Sequence, residues 1–427
     1  MPAWSDEQLE VINERGCELL VSAAAGSGKT SVLVERIYKR ITDESDPKDI
    51  DRFVVVTFTK AAAAEMKQKL RKRMDAALAS ESLTPSMREH VRRQYRRLSG
   101  AHISTVHSFC NYIIGQYFHR IGLDPSYREL VGAEYELLKN DVMNELIEKE
   151  YEEARDDFIK LADIRELNKS DQKLETWIYD VYSKMISEPF PDLVYDRWES
   201  ILSAPLESDK SPYIGRLISS TGVWAREALE TVKQMHYEYG DAYKNKDENT
   251  VLALIDITEK IYDTAAEYKD GKIDKINAYN RIKDILSVME LSGLPKDENK
   301  NNTKERNYVI RTCSPIRNRL GSMQGDDYHG TIENKQRDQD LMRDECLTVM
   351  RLAREFDQRF RQAKRDRGVL DFSDLEQYSL QILYDRDENG MPVRSDAAKE
   401  LSESFVEIMI DEYQDSNRVQ DAIFWSV

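Results

Sequence analysis

Cysteine is scarce in this chain: Cys17, Cys110, Cys313 and Cys346 are the four it has in 427 residues. They are widely spaced and form no CxxC pair, which argues against a disulfide framework or a zinc ribbon. Reduced, mostly buried thiols of a cytoplasmic protein are the expectation. Long apolar runs are missing too. No stretch approaches the roughly 18 residues that span a bilayer, so no membrane partner is expected. The opening Met-Pro-Ala-Trp-Ser-Asp-Glu-Gln has no basic segment and no apolar core, and does not read as a secretory signal. An excess of positive charge is absent, the net charge being −17. That argues against a general nucleic-acid coat protein. A local basic groove stays open, because phosphate contact depends on local charge. Six basic residues and one acid lie between Lys60 and Arg73, and five arginines and one acid between Arg88 and Arg97. Arg92, Arg93, Arg96 and Arg97 share a helical face, for which a solvated surface is the plainer reading.

What is present points to a helix-rich α/β protein of two or three domains. Residues 1–122 alternate short apolar runs with amphipathic stretches. Cys17–Val21 and Phe53–Phe58 read as strands, each followed by a helix, the signature of a parallel sheet. Ala101–Thr105 reads as a third strand, with a helix starting near Ser104–His107. Residues 123–366 read as helical. Leu174, Ile178, Val181, Tyr182 and Met185 recur at helical spacing, as do Tyr135, Leu138, Val142 and Leu146. Lys296–Asn307 and Gly321–Gln339 are polar and read as long loops. The α/β texture returns in residues 367–427, where Phe405–Ile410 is an apolar strand. The simplest architecture is a parallel-sheet domain, 1–122 with 367–427, interrupted by an all-helical insertion, 123–366.

The most specific motif is Ala23-Ala24-Ala25-Gly26-Ser27-Gly28-Lys29-Thr30, between a strand at Leu19–Ser22 and a helix at Ser31–Arg40. This is a phosphate-binding loop in its strand–turn–helix context. Gly26 and Gly28 let the backbone fold close to phosphate, and the helix start at Ser31 adds free N–H groups and a favourable dipole. Lys29 would contact the β- and γ-phosphates of ATP, and the Thr30 hydroxyl would ligate Mg²⁺. Ala23 stands where the pattern has its first glycine. An acid on a neighbouring strand is needed to hold the magnesium. The Phe405–Ile410 run supplies it in Asp411, and Glu412 could polarise the attacking water.

These residues resemble the superfamily-one helicases of the UvrD/Rep/RecB type. That group accepts alanine at the first position of the loop, and carries an Asp-Glu-x-Gln-Asp segment like Asp411–Asp415. Gln8 sits where the group's Q motif reads adenine. Val54–Met66 is similar to motif Ia, and Ile103–Phe109 to the next DNA-contacting motif. Asp371-Phe372-Ser373-Asp374-Leu375 resembles a segment that precedes motif II. Within the group the chain most resembles the A-subunit of the AddAB (RexAB) helicase–nuclease, over its whole length but thinly between about 190 and 345. The resemblance implies a RecA-like sheet domain interrupted by a helical one, ATP-driven 3′→5′ movement on single-stranded DNA, and action on duplex ends in break repair and recombination. It also implies a second subunit of the AddB/RexB type. The sequence would then be an N-terminal part of a longer protein, without the second motor domain or the nuclease, and slow to hydrolyse ATP by itself.

Two strand-to-helix junctions are the DNA-contact candidates. Thr57, Phe58, Thr59 and Lys60 combine a stacking aromatic with hydroxyls and a helix start; Thr105, His107 and Ser108 repeat the pattern. Phe58 could instead be a core aromatic, and His107 a capping or core histidine. A P-loop ATPase that does not act on DNA, and a non-catalytic DNA- or partner-binding piece, are the two competing functions.

Overall fold

A computed structural model describes residues 4–24, 26–80, 83–164, 171–239, 248–288 and 303–427. Ala25 and residues 296–302 of the expected polar loop lie outside them. The chain divides into two compact units, one of Met1–Arg155, Leu167–Asp192 and Leu352–Val427, the other of Asp156–Glu166 and Leu193–Arg351.

The first unit is built on three parallel strands. Phe53–Thr57 (β1) is central, with His102–Thr105 (β2) on one side and Glu407–Ile410 on the other. Val55 pairs with Ile103 and Met409, so the register is continuous across the sheet. Alternation along β1 divides the core. Val54 and Val56 pack with Phe109, Ile113, Leu375 and Phe424 on one face. Phe53 and Val55 pack with Ile37, Met66, Leu70 and Val91 on the other. Both faces are covered, which is why β1 reads as an unbroken apolar run. The helices that position the site are Asp6–Asn13 (α1), Lys29–Ile41 (α2), Lys60–Ala79 (α3), Pro85–Arg97 (α4) and Val106–Tyr117 (α5). Thr59, Thr84 and Thr105 cap α3, α4 and α5 by accepting from backbone N–H groups in the first turn.

One expected strand is not formed. Leu19, Leu20 and Val21 have no strand geometry, and Leu20 is 80% exposed. An apolar run becomes a strand only by pairing, and the outer edge of the Glu407–Ile410 strand is open. The third strand of the sheet is therefore at the far end of the chain rather than at its start.

The second unit is helical throughout its described residues. Ile218, Val232, Leu254, Ile261, Tyr279, Ile282 and Val309 form its core. Gly222 lets the Tyr213–Tyr239 and Glu248–Lys269 helices close up, since a Cβ there would lie 2.5 Å from that of Ala265. Gly321–Gln339 is not the long loop expected. The Lys304–Ser322 helix runs into a turn at Met323–Asp327, and a further helix begins at Ile332. Met323, Tyr328 and Ile332 are buried in the core, and Tyr328 donates to Thr221 Oγ1 at 3.1 Å. Tertiary burial thus overrides the polar composition of the segment. Likewise 304–307, assigned to a loop from composition, open the Lys304–Ser322 helix.

Candidate functional site

The chain from Ala23 to Lys29 turns on two glycines. Gly26 has φ +80° and Gly28, which caps α2, has φ +88°. A side chain at either position would be strained. Ser27 N–H donates to the Ala24 carbonyl at 3.2 Å, and Lys29 Nζ to the Ala23 carbonyl at 3.1 Å, so the lysine folds back over the loop. Thr30 and Ser31 lie in the first turn of α2, where backbone N–H groups have no helical partner. Gln8 reaches in from α1. Its backbone N–H closes a capping box with Ser5, and its Nε2 donates to the Ser27 carbonyl at 3.1 Å.

An ion pair sets the loop level with the acids. Arg36, two turns into α2, pairs with Glu407 at the start of its strand, and Arg40 lies 3.7 Å from the same carboxylate. Arg36 also donates to the Val11 carbonyl of α1. From Arg36 back to Lys29 is about 10 Å of helix, and from Glu407 to Asp411 about 13 Å of strand. The two ends therefore reach the same level, loop beside acid. Burial raises the Asp411 carboxyl above its ordinary value, the Glu412 charge raises it further, and the Lys29 ammonium opposes both. Glu412 is in the left-handed region at φ +60°, unusual for a residue with a side chain. Strain of that kind collects at functional positions.

The donor set suits Mg²⁺. Thr30 and Asp411 offer hard oxygen ligands, and Asp411 and Glu412 repel one another in a way that a cation would relieve. No group of three or more metal-binding side chains occurs among the described residues. That fits an ion which keeps several waters and takes one or two protein ligands with phosphate oxygens.

The second set of candidates lies along the same edge, where the strands end. Phe58 is 65% exposed, which removes the core reading for it. Thr59 and Lys60 are exposed beside it at the start of α3. Thr57 is buried and its hydroxyl donates to the Thr59 carbonyl at 3.0 Å, so it shapes the turn. Thr105 is buried as the cap of α5, and its hydroxyl is 2.9 Å from that of Ser108. His107 stacks on Phe372, with ring centroids 4.4 Å apart and planes 20° from parallel, and its Nε2 is 3.5 Å from Glu376. Phe372 is 45% exposed and adds a second aromatic to the edge. It sits in the Asp371–Leu375 segment, whose spacing gave no hint of this contact.

Phe372 opens the Phe372–Leu383 helix, whose start is fixed by a buried cluster. Asp371 and Asp374 form a capping box, and Lys364 Nζ donates at 2.7 Å to each carboxylate. Lys364 also lies over the Phe360 ring, 4.3 Å from its centroid. Burial, more than the Asp371 charge, raises the Asp374 carboxyl, and Lys364 opposes the shift.

A parallel sheet covered on both faces, with its exposed loops at the carboxyl ends of the strands, defines a helix-rich α/β protein whose ligand edge is that end. The chain belongs to the UvrD/REP helicase family, whose N-terminal domain matches residues 4–426. Similar proteins include the ATP-dependent helicase/nuclease A-subunit from Lachnoclostridium phytofermentans, 35% identical, with 100% of this chain and 30% of the relative covered. Those of Exiguobacterium sibiricum and Clostridioides difficile are each 33% identical, with 98% and 34%, and 100% and 33%, covered. The chain spans about a third of the length of these relatives. Among the described residues no helix is long and apolar enough to cross a membrane.

Proposed function

We propose that this chain is the ATP-binding front part of a DNA-translocating helicase. The observation that carries the reading is the meeting of Lys29 and Asp411, from opposite ends of the sequence, at one edge of one sheet. Ala23, Ala24, Ala25, Gly26, Ser27, Gly28, Lys29, Thr30 and Ser31 hold the phosphates of ATP, with Gln8 toward the base. Thr30 and Asp411 hold Mg²⁺, which neutralises phosphate charge when bound, and Glu412 orients the attacking water. Lys29 leaves the Ala23 carbonyl for the phosphates. Phe58 and Phe372 stack on bases of single-stranded DNA, Thr59, Lys60, His107 and Ser108 meet its backbone, and Thr57 and Thr105 hold the two turns in shape.

In this reading residues 1–122 and 367–427 form the RecA-like motor domain and 123–366 its helical insertion. The names of the relatives support one part of a helicase–nuclease that moves 3′→5′ from duplex ends, in break repair and recombination, beside a second subunit of the AddB/RexB type in the cytoplasm. Turnover by this chain alone is slow, because the fast step of such motors uses an arginine finger worth about 10³–10⁵ in rate, and its motifs include none. The test is calorimetry with ATP–Mg²⁺ on the chain and on Lys29→Ala. Binding that disappears in the variant, with an unchanged melting temperature, is the expected result. Equal affinity in both would remove the loop from the site, and brisk DNA-stimulated turnover would sink the claim of slow hydrolysis.

A further inference from the structure

The strand-edge site leaves the basic runs of α3 and α4 unused. Three contacts fix how these helices pair. Lys67 Nζ donates to the Ser99 carbonyl, just past α4, at 3.2 Å. The Arg71 guanidinium lies over the Tyr95 ring, 5.6 Å from its centroid. Arg88 donates to the Leu78 and Ser80 carbonyls at 3.1 and 2.8 Å. Positions rise along α3 as they fall along α4, so the helices are antiparallel and cations line their seam.

Part of this charge is neutralised. Arg73 pairs with Glu35, Lys69 with Glu65, Arg93 with Glu89, and Arg97 with Asp49 and Asp51. Arg71, Lys72, Arg92 and Arg96 are exposed and have no acidic partner among the described residues. This is notable in a chain with 79 acids against 62 lysines and arginines.

The seam is remote from the proposed DNA edge. Ile50 N–H donates to Gln94 Oε1 at 2.9 Å and Arg97 meets Asp49 at 3.0 Å, so α4 ends where β1 begins. Phe58, His107 and Asp411 lie where the strands end.

We propose that the α3–α4 seam is a docking surface for the phosphate backbone of duplex nucleic acid, separate from the single-strand edge. Charge complementarity is the first reason. The second is the spacing of Arg88, Arg92 and Arg96, which advance about 6 Å at a time along one line. The third is that the Tyr95 ring is covered by Arg71, so the seam has no free aromatic for stacking an unpaired base. Contact confined to phosphates suits a stiff duplex, which holds them in a row.

The surface does not depend on the strand edge, and the test separates the two. Arg92→Gln with Arg96→Gln is compared with Phe58→Ala, each in the whole chain, on a blunt 20-bp DNA duplex and an 8-nucleotide single strand. The double variant should bind the duplex about tenfold more weakly, with a salt slope smaller by about 2, one per lost phosphate contact. Its affinity for the single strand should be unchanged. Phe58→Ala should show the reverse pattern, and loss of that pattern alone would speak against the edge and not the seam. The charge-keeping pair Arg92→Lys and Arg96→Lys should retain the wild-type slope, which controls for folding. Unchanged duplex affinity and slope in the Gln variant would overturn the seam. Binding of poly-glutamate there that duplex fails to displace would assign it to an acidic protein and overturn it equally.

Discussion

The backbone N–H of Asp411 donates to the carbonyl of Val56 at 2.9 Å. This bond extends the pairing of Val56 with Ile410 by one step. Thr57 and Phe58 follow Val56 directly, so the acid of the proposed nucleotide site and the aromatic of the proposed DNA site hang from adjacent strands. Movement of one strand end is felt at the other, which gives a short physical route between the two ligands.

Asp411 holds its charge at a cost to the folded state. Its carboxyl is raised above the ordinary 3.8, first by burial and then by Glu412. A raised acid contributes stability that is complete below the unfolded value and lost as pH rises through the folded one. Asp411→Asn should therefore melt at a higher temperature than wild type at pH 7, and the gain should shrink toward pH 4. Thermal unfolding across that range measures it; a gain independent of pH would refute the electrostatic cause.

Phe372 is exposed and stacked only on His107. Phe372→Ala should weaken single-stranded DNA binding by about 1–3 kcal/mol, the worth of one base stack, and leave ATP binding alone. Fluorescence anisotropy with a labelled oligonucleotide gives the answer. Undiminished affinity would return Phe372 to a purely structural part.

Lys364 is buried against two carboxylates. Lys364→Met should destabilise the first unit by about 3–5 kcal/mol, because it leaves Asp371 and Asp374 buried without a counter-charge. Denaturant unfolding should register a smaller loss at pH 5 than at pH 7, since protonated carboxyls need no partner. Adding Asp371→Asn and Asp374→Asn should restore part of the stability. No recovery would point to lost packing.

The cysteines should separate by reactivity. Cys17 is exposed, Cys110 and Cys313 are buried, and burial pushes the Cys110 thiol up to about 12. A thiol reagent at pH 8 should modify Cys17 quickly and Cys110 only on unfolding. Peptide mapping after a short pulse reads this directly, and fast labelling of Cys110 would contradict its burial.

Local chemistry made much of the first unit legible in the sequence. The β-branched run Phe53–Thr57 can only be a strand buried on both faces. Threonines ahead of α3 and α5 mark the helix starts, and Gly26 and Gly28 mark the turn before α2. These features depend on neighbours in the chain, so they survive reading one residue at a time. Leu19–Val21 and Gly321–Gln339 did not, because pairing and burial are decided by distant partners. Nothing local distinguishes an apolar run that finds a strand beside it from one that does not, or a polar segment whose few apolar residues reach a core. The Arg36–Glu407 pair, the Lys364 cluster and the His107–Phe372 stack likewise join residues far apart in sequence. Only the folded chain, by closing those distances, could decide them.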